Sequence, residues 1–152
     1  MAFTPGEQTP APVGIVVDVL RATSTICQAL ASGYGRVLCC AEIDEARGLA
    51  TTEGPAKLAG ERRLEHIEGF DFGNSPSELN GEPAAETLIL TTTNGTRLLV
   101  AAAERFERVY VGSLLNVDAV AAAMRYQSEP KNMAYAPVVP RSDGRGSEGL
   151  AA

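Results

Sequence analysis

The chain holds 152 residues, 45% hydrophobic and 21% charged, which is enough to build one packed core without a disulfide framework or a structural metal. Thirteen Lys and Arg against nineteen Asp and Glu leave a net charge of −6, which opposes binding to a nucleic-acid backbone or an anionic membrane surface, so any anion must be gripped locally. No apolar run approaches the ~20 residues of a membrane span, and residues 1–12 lack the basic and apolar regions of a secretory signal, so a cytoplasmic location is the expectation.

Residues 1–12 contain Pro5, Pro10 and Pro12 without periodicity and are predicted to be a loose leader. Val13 to Leu20 (VGIVVDVL) is apolar and β-branched on consecutive positions, the pattern of a strand buried on both faces, and it leads into a helix over 22–32 ended by Gly33. Arg36 to Ala41 repeats the strand signal. Ile43, Ala46, Leu49 and Ala50 then give helical spacing until Gly54 and Pro55 break it. A short apolar segment, Ala56 to Ala59, precedes a polar, Gly-rich stretch over 60–83 that is longer than a routine connection, and long ordered loops are more often functional than idle. Regular structure resumes with a strand over 86–91, a helix over 95–106, a strand over 108–112 and a helix over 116–126. The alternation predicts an α/β fold with a mostly parallel sheet and helices on both faces, a three-layer α/β/α domain over 13–126. Residues 127–152, rich in Pro, Gly, Ser and charge, are predicted to be a disordered or loosely attached tail.

Cys27, Cys39 and Cys40 are an odd number with no CxxC pair, and adjacent Cys39 and Cys40 point to opposite faces of a strand. They read as small buried hydrophobes rather than a metal or redox site. His66 reads as a solvated loop residue with no part in proton transfer.

In an open parallel sheet, ligands bind beyond the carboxyl ends of the strands, so the informative residues follow each strand directly. Asp18 precedes Arg21 and the hydroxyls of Thr23, Ser24 and Thr25 at one such junction. Thr91, Thr92, Thr93, Asn94, Gly95 and Arg97 form a second, and Ser113 with Asn116 a third. Helix N-termini attract anions, hydroxyls add donors and arginine supplies a two-pronged cation, so the three junctions together suit a phosphate. The competing explanation is ordinary capping, since Ser, Thr, Asn and Asp are the preferred N-caps of any helix. Capping does not require Arg21 and Arg97 at equivalent places after different strands. Asp18, a carboxylate ending an apolar strand, is costly to desolvate unless paired or bound to a cation, and its roles are an ion pair with Arg21, an N-cap, or a ligand to Mg²⁺. In the long loop, Glu61, Arg62 and Arg63, then Asp71, Gly73 and Asn74, gather acids, cations and glycines. No Walker loop, GxSxG elbow, HExxH or GxGxxG is present, which removes the main support for those chemistries.

Five blocks carry a family resemblance: VVDVLRATSTI at 16–26, LAGERR at 58–63, IEGFDFGNSPSE at 67–78, LTTTNGTR at 90–97 and VGSLLNVDAVA at 111–121. Collinear from about Gly14 to Met124, they resemble the 2-phosphosulfolactate phosphatases of the ComB type. The resemblance implies an α/β/α enzyme that uses Mg²⁺ to hydrolyse a small phosphate monoester carrying a sulfonate, giving sulfolactate and phosphate in the coenzyme M route. It implies that Asp18 binds the metal or attacks phosphorus, with Glu61 and Asp71 as further metal ligands. Arg21 and Arg97 would grip the phosphoryl oxygens, with Thr23, Ser24, Thr25, Thr91, Thr92, Thr93, Asn94, Gly95, Asn74 and Ser113 completing the substrate site. The family's short first strand and its later strand, Cys-Ala-Gly turn and acidic Phe-Ser-Leu-Glu-Asp segment have no counterpart here, as if the chain were truncated or shifted in frame. The expectation is therefore a sheet incomplete on the C-terminal side, with an open edge that favours a homo-oligomer. The alternative function is a catalytically impaired fragment that only binds phosphate-like anions.

Overall fold

Five consecutive buried residues, Thr87–Thr91, mark the centre of the fold, and Leu88, Ile89 and Leu90 are wholly removed from water. Each such side chain contributes roughly 1.5–3 kcal/mol by burial, and alternate ones face opposite sides of the sheet, so both faces of this strand demand a covering layer. The computed structural model describes residues 12–81, 83, 85–125 and 139–140. In chain order its elements are β1 (Val13–Val17), α1 (Ala22–Ala31), β2 (Arg36–Cys40), α2 (Ile43–Thr52), β3 (Ala56–Arg62), β4 (Glu65–His66), a 3-10 turn (Pro76–Leu79), β5 (Thr87–Thr91), α3 (Gly95–Arg105), β6 (Arg108–Gly112), α4 (Val117–Arg125) and β7 (Val139–Pro140).

Among the described residues the strands form two groups, β4-β3-β5-β2-β7 and β1-β6. Every pairing is parallel except the β3-β4 hairpin. One face is filled by Ile26 and Ala29 of α1 and Leu99 and Ala102 of α3, packed with Val37, Cys39, Leu88 and Leu90 from the sheet and Leu79 from the 3-10 turn. The other is filled by Ala46 of α2 and by Ile67 and Phe70, packed with Leu38, Cys40 and Ile89. Helix, sheet and helix make the three-layer α/β/α arrangement that the alternation predicts. Cys39 and Cys40 fall in opposite clusters, both buried, and desolvation pushes the Cys40 thiol up to about 12. Among the described residues no helix is long and apolar enough to cross a membrane.

Three expectations need correction. Val13 to Leu20 is not a strand buried on both faces: β1 stops at Val17 and alternates, with Val16 in the core and Ile15 and Val17 exposed. The long loop is shorter than predicted, because β3 continues through Gly60, Glu61 and Arg62 and turns back into β4. The apolar signal ends at Ala59, yet the backbone stays extended, since pairing with β5 as far as Gly60 and with β4 beyond it engages the backbone whatever the side chains are. Val139–Pro140, inside the expected tail, pairs with β2. The rest of the leader and tail lies outside the described residues.

The register aligns the carboxyl ends of the central strands: Thr91 of β5 stands beside both Cys40 of β2 and Gly60 of β3. Gly60 has a required role in this alignment, because a Cβ there would press into the Thr91 carbonyl oxygen. Gly60→Ala is therefore expected to lower the urea midpoint by the equivalent of more than about 1 kcal/mol. An unchanged midpoint would show that the two strand ends do not meet this closely.

Candidate active site

The turn that leaves β1 is braced from within. The Asp18 N–H donates to Thr23 Oγ1 at 3.0 Å, and the Thr23 N–H donates back to the Asp18 carbonyl at 3.1 Å. Ser24 Oγ donates to the Val19 carbonyl at 2.8 Å, and Thr25 Oγ1 to the Arg21 carbonyl at 3.1 Å. Thr23 and Thr25 are wholly buried. These hydroxyls, expected to cradle substrate, instead hold the backbone of residues 18–21 in place against the first turn of α1. Hydroxyls that are satisfied internally fix a turn at little cost, whereas open ones at this depth would each lose a hydrogen bond.

What the turn presents is charge. Among the described residues neither the Asp18 carboxylate nor the Arg21 guanidinium has a hydrogen-bond or ion-pair partner, so the ion pair between them, one of the three roles open to Asp18, is not formed. Asp18 Oδ2 and the Ala22 methyl lie against Gly95, close enough that a Cβ on Gly95 would collide with both, and that Cβ would stand 3.4 Å from Thr92 Oγ1. Gly95 is thus the point where the starts of α1 and α3 cross, and Asp18, Thr92 and Gly95 are brought together there.

The β5-α3 junction is tied to the end of β3 by Glu61. The Thr93 N–H and hydroxyl donate to its carboxylate at 2.7 and 2.8 Å, and the Leu64 N–H donates at 2.9 Å. Burial pushes the Glu61 carboxyl up, but these donors and the Arg62 charge outweigh it and hold the group below the usual carboxylate range. Thr92 and Thr96 exchange hydrogen bonds across the turn, Thr92 N–H to Thr96 Oγ1 at 2.9 Å and Thr96 N–H to Thr92 Oγ1 at 3.0 Å. Asn94, the N-cap residue of α3, is exposed and makes no side-chain cap. Arg62 donates to the Ala41 carbonyl at 2.8 Å, Thr91 Oγ1 at 2.7 Å and the Glu61 carbonyl at 2.9 Å. Burial and the neighbouring Arg97 cation lower its pKa. Arg97 itself pairs with Glu42 at 2.8 Å.

The remaining expected residues sit apart or serve the scaffold. At the end of β6 the Ser113 N–H donates to Asn116 Oδ1 at 2.8 Å, Ser113 Oγ accepts from the Leu115 N–H, and Asn116 Nδ2 donates to the Val111 carbonyl. Asn74 is buried after the Phe72 bridge to β3, and its Oδ1 has no hydrogen-bond partner among the described residues. Asp71 binds Lys57 Nζ at 2.6 Å and the Leu58 N–H at 2.9 Å. Burial raises the Asp71 carboxyl, while Lys57 and Leu58 more than reverse this and leave it lowered. His66 is exposed and lies 3.1 Å from the Phe70 carbonyl through Nε2.

Asp18, Glu61 and Asp71 therefore do not form a metal set, and among the described residues no three His, Cys, Asp or Glu side chains gather into one. Glu61 and Asp71 instead turn their carboxylates to separate donors, Glu61 to Thr93 and the Leu64 N–H and Asp71 to Lys57 and the Leu58 N–H. Sequence reasoning missed Glu42 altogether and gave Arg62 no role. Because β3 extends past Ala59, Arg62 lies two positions beyond Gly60, just past the aligned ends of β2 and β5.

A family model described as 2-phosphosulpholactate phosphatase matches residues 2–134. The match takes in residues 2–12, which composition alone reads as a leader. A relative from Caldanaerobacter subterraneus subsp. tengcongensis, named probable 2-phosphosulfolactate phosphatase, is 47% identical over 110 residues, 70% of this chain and 45% of that protein. Relatives with the same name from Clostridium acetobutylicum and Clostridium perfringens are 43% identical over 117 residues and 35% identical over 138, covering 76% and 88% of this chain and 49% and 55% of theirs. The chain spans about half the length of the curated relatives it matches.

Glu61 gives this arrangement a pH signature. Because the folded carboxyl is held below its ordinary value, the unfolded chain takes up the proton first as pH falls. Its contribution is complete above the ordinary carboxyl range and is lost as the pH drops through the folded value. Glu61→Gln is expected to cost about 2 kcal/mol in urea unfolding at pH 7 and distinctly less at pH 3. A penalty that does not shrink on acidification would show that the carboxylate charge is not what ties Thr93.

Proposed function

The chain belongs to the 2-phosphosulfolactate phosphatase family, and on that footing we propose that it hydrolyses a small phosphate monoester, 2-phosphosulfolactate or a close analogue, to sulfolactate and phosphate. The pairing of Asp18 and Arg21 carries this reading: two opposite charges in one braced turn, neither neutralised by the other nor by any described neighbour. Leaving a half-buried carboxylate without a partner is costly, and the cost is recovered when a cation or a reacting group arrives. The reading places the protein in the coenzyme M route, in the cytoplasm, with a phosphorylated and sulfonated organic acid as its partner and self-association as a homo-oligomer.

Mg²⁺ would be held at this turn by Asp18, whose carboxylate has no described partner, since this ion needs only one or two carboxylates beside phosphate oxygens and water. Bound there, Mg²⁺ would supply Lewis-acid polarisation. Arg21 and Arg97 neutralise the remaining phosphoryl oxygens, the two-pronged guanidinium matching their spacing. The charge that develops on the transferring group is then met by fixed cations, the form of catalysis phosphoryl transfer depends on most, with Arg21 held by its braced turn and Arg97 released from Glu42. Thr23, Ser24 and Thr25 act one step back, holding the turn that carries Asp18 and Arg21.

The test is phosphate release from phosphosulfolactate with and without Mg²⁺. Asp18→Asn, which keeps the shape and removes the charge, is expected to slow turnover by at least about a hundredfold, or roughly 2.7 kcal/mol of barrier. Equal rates for the two proteins would remove Asp18 from the mechanism. Phosphate binding by calorimetry without any turnover would instead support the reading of an impaired, anion-binding fragment.

A further inference from the structure

Glu42 stands at the N-cap position of α2, yet its side chain makes no cap. Asp44 and Glu45 lie in the first turn of that helix, and Glu45 Oε2 accepts the Ala41 N–H at 3.1 Å. The Glu42 carboxylate instead leaves its own helix and meets Arg97 Nη2 at 2.8 Å, across 55 positions of sequence. Arg62 stands on the same ground, with its Nη2 on the carbonyl of Ala41, the residue next to Glu42. One carboxylate thus sits where two guanidiniums from β3 and α3 approach the carboxyl ends of the strands. Capping does not explain its direction.

We propose that Glu42 is a built-in competitor that parks the Arg97 guanidinium until the anionic oxygens of a ligand displace it. This rests on the phosphatase reading for the ligand's chemistry, a doubly charged phosphate group, and adds the element that governs access to Arg97. The two side chains are 52% and 64% exposed, and an ion pair that open to water contributes no more than about 1 kcal/mol. Such a pair holds Arg97 in an ordered place without holding it firmly. A phosphate dianion, offering two oxygens to one fork, outcompetes a single carboxylate oxygen, and Arg97 changes partner with little loss. Arg62, fixed by three hydrogen bonds to the scaffold, stays in place throughout and keeps the spot attractive to anions in both states.

The experiment is titration of inorganic phosphate into the full chain by calorimetry, at one ionic strength. Glu42→Gln is expected to tighten phosphate binding about fivefold, the factor that corresponds to an exposed ion pair at the upper end of its range. In an Arg97→Ala background the same change is expected to have no effect. Asp44→Asn, which removes an exposed charge from the first turn of α2 without touching Arg97, is expected to change binding by less than twofold. Unchanged or weaker binding by Glu42→Gln overturns the proposal, as does tightening that persists without Arg97 or that Asp44→Asn reproduces. If neither the parent chain nor Glu42→Gln binds phosphate, the proposal also falls. Turnover of phosphosulfolactate by the parent chain then decides separately whether the phosphatase reading stands.

Discussion

A carboxylate removed from water must be surrounded by donors, and in this fold that requirement falls on Glu61. Only 6% of its surface is exposed, and its donors come from both sides of the site: Leu64 from its own hairpin, and Thr93 from the turn that opens α3. Thr93 receives in turn from the Arg63 N–H. The end of β3 and the start of α3 are therefore not free to move independently, because separating them would strand a buried charge, a loss of several kcal/mol rather than one. Through α3 the constraint reaches Gly95, and through Gly95 it reaches Asp18 and Ala22 on the far junction. One buried acid thereby sets the spacing between two crossovers.

The polar residues at the strand ends divide by this logic into those that build and those that remain open. Thr23, Ser24, Thr25, Thr92 and Thr96 spend their hydroxyls on nearby backbone or on one another, and Thr93 gives its hydroxyl to Glu61. Short hydroxyl side chains reach only local groups, so they rigidify turns well and contact distant ligands poorly. Asp18 and Arg21 are set off by the brace beneath them, since a fixed backbone lets a charged side chain stay in one place without a partner of its own. Preorganisation of that kind is what electrostatic stabilisation requires, because reorienting charges during a reaction would consume much of the benefit.

The layers were legible in the sequence because hydrophobic periodicity encodes them: Leu88 to Leu90, Ile26 with Ala29, and Leu99 with Ala102 all lie where their spacing predicts. Legibility failed where the backbone, rather than the side chains, sets the structure. Gly60, Glu61 and Arg62 carry no apolar pattern, so side chains alone put Arg62 in a loop, yet the backbone pairs beside Thr91 or turns back on β4. At the site, the junctions could be located but not their division of labour. A threonine that braces a turn and a threonine that binds a ligand are the same letter, and only the positions of Asp18 N–H and the Val19 and Arg21 carbonyls tell them apart. Glu61 and Asp71 were misread for a related reason, since a carboxylate that binds metal and one that binds backbone amides differ only in what folds around them.

Glu61 and Glu42 show how far environment separates two identical side chains in one neighbourhood. Both lie near Arg62, which feels the charge of each. Glu61 is enclosed and holds three donors, so its bonds are strong and poorly screened. Glu42 is open to solvent and holds one guanidinium, so its bond is weak, screened by salt and quickly broken. A chain with a net charge of −6 repels anions at long range, and the local cations must overcome that repulsion at contact. Fixing Arg62 by an enclosed network while leaving Arg97 on an exposed one gives the site one cation that is always in place and one that is free to change partners.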